Sequence, residues 1–102
     1  MDNQYEVERA KFIGAKEKER ELETLRGRLV EHVNQLQDLR VMIFKEEAKT
    51  YDDMIDREAK VMTLMREEEA VMEELAEVQV GILSARCAAD DALGKAAAMK
   101  AR

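Results

Sequence analysis

The sequence predicts an all-α protein, an antiparallel coiled-coil helical hairpin that pairs with a second copy into a four-helix bundle. Three observations point there. The 102 residues include no proline and only four glycines. Charged side chains make up 39% of the chain and aromatics 4%, and the strong helix formers Ala, Glu, Lys, Arg, Leu and Met dominate. Apolar residues, 46% of the total, recur at alternating steps of three and four, which a disordered chain does not show.

The chain reads as a single helical domain, with arm 1 over about 3–49, a turn over about 50–56 and arm 2 over about 54–100. In arm 1 the steps run through Leu22, Leu25, Leu29, His32, Leu36, Leu39 and Ile43. Before Leu22 the phase is poor. Tyr5, Phe12 and Ile13 are apolar, but AKEKERELE is highly charged, so this segment is expected to stay helical with its face turned or exposed.

The turn is read from symmetry. Leu22 and Ala85, Leu29 and Val78, Leu36 and Val71, and Ile43 and Leu64 are each placed symmetrically about a point between Asp53 and Met54. Leu25 with Ile82 and His32 with Leu75 obey the same rule. The glycines are mirrored too, Gly14 with Gly94 and Gly27 with Gly81, and paired glycines let two backbones approach closely. Thr50, Asp52 and Asp53 are N-cap types, and Thr50 with Asp53 approximates a capping box. The alternative is one long continuous helix. Ile43 and Val61 are 18 residues apart, close to five whole turns, so an unbroken helix keeps both runs on one face.

In arm 2 the run is Val61, Leu64, Glu68, Val71, Leu75, Val78 and Ile82, continued by Ala85, Ala89, Ala92, Ala96 and Met99, with Glu68 the polar intruder. A second apolar stripe runs beside it through Ile55, Ala59, Met62, Met65, Met72, Ala76, Leu83 and Cys87. One partner helix does not cover so wide a face. A dimer of hairpins is the simplest remedy. The other is a surface for a different helical protein, centred on Ile55, Met62, Met65, Met72 and Leu83.

Charge narrows the function classes. The net charge is −6. Residues 52–77 hold 3 basic and 10 acidic side chains. Such a chain repels nucleic acid and anionic membranes. The basic residues from Arg9 to Arg28 are interleaved with glutamates, unlike a DNA-binding basic region. The longest charge-free run of the second half, VQVGILSA, is far short of the roughly 20 residues that a membrane span needs. A lone cysteine permits no intrachain disulfide and suits a reducing compartment, and MDNQYEVERAKF does not read as a secretory signal. The expected location is therefore cytoplasmic. Export by a route that uses no cleaved signal is compatible with the same sequence.

No catalytic, cofactor or metal site is expected. His32 has Arg28, Leu29, Gln35 and Leu36 at the positions where a second ligand would stand, so it reads as a polar seam residue that specifies register. Cys87 reads as a packing residue. DDMID and REEEAVMEELAE lack the glycine and spacing of a calcium loop. Ser84, His32 and Cys87 form no base–nucleophile motif and there is no Gly-rich phosphate loop. No small-molecule substrate is expected. Five of the seven methionines lie between Met42 and Met72, and methionine surfaces adapt to varied helices. The functional expectation is a non-enzymatic protein–protein interaction module, structural or adaptor in character. Its alternative is a small acidic helical chaperone that escorts a helical client.

Overall fold

The computed structural model describes residues 2–101. It is a helical hairpin of two helices, α1 (Asp2–Lys45) and α2 (Tyr51–Ala101), with no strand among the described residues. The chain divides into two compact units. Unit 1 takes the residues up to Arg26 with those from Glu77 onward, and unit 2 takes Gly27–Ala76. In both, a segment of α1 packs on a segment of α2 running the other way. In unit 2, Arg40 meets Glu68 and Glu46 meets Lys60. In unit 1, Glu19 meets Arg86 and Arg26 meets Gln79.

The non-helical stretch is residues 46–50, and 51–56, read from sequence as part of the turn, are helical. The end of α1 is closed without glycine. The Glu46 amide donates to the Ile43 carbonyl at 3.1 Å, a tightened last turn. The Glu46 carbonyl accepts from Arg57 Nη1 at 3.3 Å, so a side chain from the other helix supplies the missing donor. Arg57 lies six residues into α2, so α2 begins about 9 Å beyond this level at 1.5 Å per residue. Five residues of extended chain span about 16 Å and cover that distance. The mirror point of the packing therefore differs from the middle of the loop. Thr50 is the N-cap of α2: its Oγ1 accepts from the Asp53 amide at 3.0 Å and its carbonyl from the Met54 amide at 3.1 Å. Asp52 and Asp53 follow in the first turn, beside the positive end of the helix dipole.

In α2 the protected positions are Val61, Leu64, Glu68, Val71, Leu75, Val78, Ile82, Ala85, Ala89, Ala92, Ala96 and Met99, each buried or half-buried. In α1 they are Glu8, Phe12, Ala15, Glu19, Leu22, Arg26, Leu29, Val33, Leu36, Arg40 and Ile43, with Glu23 flanking. Leu25, His32 and Leu39 are exposed, and their places are taken one residue later by Arg26, Val33 and Arg40. Extending the two phases toward the N-terminus shows why. The phase through Leu25 and His32 puts Lys11 and Lys18 into the seam. The phase through Arg26 and Val33 instead puts Phe12 and Glu19 there, and both Glu19 and Arg40 find a facing countercharge. His32 is thus no seam residue, and the charged segment before Leu22 is phased into the packing.

The mirrored glycines do not pair. A Cβ on Gly81 would lie 3.0 Å from Cδ1 of Leu22, whereas Gly14, Gly27 and Gly94 have nothing within 4 Å. No glycine has positive φ, so these three only weaken the helix. Gly14→Ala, Gly27→Ala and Gly94→Ala are each expected to stabilise the fold by about 0.5–1 kcal/mol. Gly81→Ala gains the same helix propensity but presses on Leu22, and should gain less or lose. Urea midpoints of the four variants check the ordering. An equal gain at all four positions would show that α1 and α2 are not closely apposed at Gly81.

Candidate protein-interaction surface

Glu68, the polar intruder in the α2 pattern, is accommodated in unit 2 by two residues of α1. Arg40 Nη1 lies 3.1 Å from Glu68 Oε2, and Gln37 Nε2 donates to Glu68 Oε1 at 3.0 Å. Both charged side chains are largely covered, at 29% and 17% exposure, so the pair lies where screening is reduced and geometry matters. Unit 1 repeats the arrangement. Arg86 Nε donates to Glu19 Oε1 at 2.8 Å, and Nη2 donates to Glu23 Oε1 at 3.2 Å. Arg86 holds the Glu19 carboxyl below its ordinary value of 4.5, assisted by Lys16 and opposed by desolvation. The same contacts keep the Arg86 guanidinium more firmly protonated. Apart from Glu68, sequence reasoning missed these residues because it sought apolar types at seam positions. The available signal was long charged side chains recurring in heptad phase along α1, at Glu8, Glu19, Arg26 and Arg40. Glu8, also buried, keeps one oxygen without a partner among the described residues, while the other lies 3.5 Å from Lys11 Nζ.

The lowered Glu19 pKa has a signed consequence. A carboxylate whose pKa falls on folding stabilises the protein above its unfolded-state pKa, and that contribution is lost as pH falls through the folded-state value. Arg86→Met removes the cause. The difference in thermal midpoint between the native protein and Arg86→Met should stay constant at neutral pH and shrink as pH drops below the ordinary 4.5. A gap unchanged down to about pH 2, where carboxylates are protonated, would mean that Arg86 acts by packing and not by charge.

The second stripe is uncovered. In unit 2, Ile55 and Met62 are each 48% exposed, Met65 51% and Met72 52%. Met62, Met65 and Met72 line an open groove of about 470 Å³ whose other walls are Arg40, Arg66, Glu68 and Glu69. The Arg40–Glu68 pair is therefore part of its lining. Val41 and Phe44, four and seven residues after Gln37 and hence on its face of α1, are 50% and 56% exposed. Leu83, at 58% exposure, and the exposed free thiol of Cys87 belong to unit 1.

The net charge is partitioned in the same way. Unit 1 contains 10 basic and 10 acidic residues, unit 2 contains 7 and 13. The whole net charge of −6 falls in the unit that carries the methionine groove. Among the described residues no three His, Cys, Asp or Glu side chains are grouped to hold a metal ion, and no helix is long and apolar enough to cross a membrane. Compared with known protein families, curated proteins and solved structures, the chain gives no match.

Proposed function

We propose that the protein is a non-enzymatic helix-pairing module, an adaptor or structural component that holds another helix along the second stripe of α2. The observation that carries this reading is the exposed column Ile55, Met62, Met65 and Met72 beside a complete internal seam. Each of these side chains is half covered already, so burying the remainder contributes about 1 kcal/mol apiece. Association costs about 4–15 kcal/mol. Methionine contacts alone therefore give weak binding, and the polar groups around the groove must carry specificity and part of the affinity.

The test is Met65→Asp in the full chain. Helicity by circular dichroism should be kept, because Met65 is half exposed. Association with a helical partner should fall at least tenfold, because a carboxylate would be buried without a countercharge. A variant that loses helix content would show that the stripe is structural core and would remove this reading. A chaperone for a helical client is the second reading, favoured by the adaptability of methionine. It differs in exchange: an escorted client leaves when its final partner is supplied, whereas an adaptor keeps its partner in fixed stoichiometry.

A further inference from the structure

We propose that the groove of unit 2 receives a helix from a different protein, one that carries Arg or Lys at two seam positions eleven residues apart, opposite Glu58 and Glu69. The inference rests on the helix-pairing reading and adds the class of partner.

The exposed column is itself a heptad seam. Ile55, Glu58, Met62, Met65, Glu69 and Met72 step by three and four without a break. Its members are all exposed, and neither glutamate has an ion-pair partner among the described residues. A third helix seated on this column brings Glu58 and Glu69 into a closing interface, where a carboxylate needs a countercharge. The molecule meets the same requirement in its own packing by one device. Glu68 is met by Arg40 and Glu19 by Arg86, each arginine reaching from the facing helix. Arg40 is occupied in this way and is not free to serve Glu69.

A second copy paired column to column does not supply the partner residues. The column holds no Lys or Arg, so its self-pairing sets carboxylates against methionines or against carboxylates. It also brings together two units of net charge −6. Arg66, a wall of the groove, lies outside the column and offers a contact to an acidic residue flanking the partner's seam. A basic helix answers the seam, the net charge and the apolar groove together. The spacing of eleven holds for parallel and antiparallel docking, since Glu58 and Glu69 occupy opposite seam columns of the heptad.

The experiment uses the full chain and three fluorescein-labelled synthetic helices of three heptads with leucine seams. Two seam positions eleven apart carry Arg in the first, Gln in the second and Glu in the third. By fluorescence anisotropy the Arg helix should bind at least tenfold more tightly than the Gln helix and more than a hundredfold more tightly than the Glu helix. The double variant Glu58→Lys with Glu69→Lys, whose exposed positions leave the seam intact, should reverse that order. Glu58→Gln with Glu69→Gln should abolish the preference while keeping Gln-helix binding. Equal binding of all three helices, abolished by Met65→Asp, would overturn the basic partner and leave helix pairing standing. So would a homodimer in sedimentation that Met65→Asp dissociates. Binding of none of the helices, with no change in assembly on Met65→Asp, would overturn both.

Discussion

Leu36→Asp should cost several kcal/mol and leave the chain largely unfolded or severely destabilised at room temperature. Leu36 is 4% exposed in unit 2, and an aspartate there is a charge taken out of water with no cation facing it. Leu39→Asp is the informative companion. Leu39 is 46% exposed, three residues on and outside the seam phase of α1, so its replacement should change stability by about 0.5 kcal/mol or less. Helix content by circular dichroism and the urea midpoint measure both. Comparable losses at the two positions would mean that the seam of α1 passes through Leu25, His32 and Leu39. A harmless Leu36→Asp would mean that the two helices do not pack through this face at all.

Ile82→Ala should be the next largest loss, about 2–5 kcal/mol. Ile82, in unit 1, is a large side chain only 1% exposed, so its truncation leaves a cavity that rigid helix backbones cannot collapse to fill. The buried seam positions that follow it are small: Ala85, Ala89 and Ala92 are 5%, 0% and 2% exposed. The helices of unit 1 are also closely apposed beside Ile82, where a Cβ on Gly81 would lie 3.0 Å from Leu22 Cδ1. Ala89→Leu should therefore also destabilise, by about 1–3 kcal/mol, through overpacking. Val80→Ala, at 67% exposure, is the control and should move the midpoint little. If Ala89→Leu stabilised the protein, the alanine layer would be loose and open to a further helix.

The composition and periodicity of the sequence by themselves determine that the chain is helical, and they determine which residues of α2 are protected. From Val61 to Met99 this column is broken only by Glu68, whereas the neighbouring stripe through Met62, Met65 and Met72 is interrupted by Glu69, Gln79, Arg86 and Asp90, so hydrophobic burial favours one of the two. Thr50 as N-cap is equally local, because a side-chain oxygen meets an amide three residues on. Tertiary structure decides what local pattern leaves degenerate. In α1 the columns Leu25–His32–Leu39 and Arg26–Val33–Arg40 differ by one residue and both contain apolar groups. Only the facing helix, with Glu68 for Arg40 and Gln79 for Arg26, selects between them. Glu8 and Glu19 look like surface charge from their neighbours in sequence, yet both are buried. For Glu19 the compensating charge is Arg86, 67 residues away. The loop also escapes a symmetry argument, since residues 46–50 rise beside α2 before it begins. A seam is a property of two surfaces at once. One sequence arm specifies it alone only where a single column is apolar. Where charged residues share the seam, the countercharge on the other arm makes the choice.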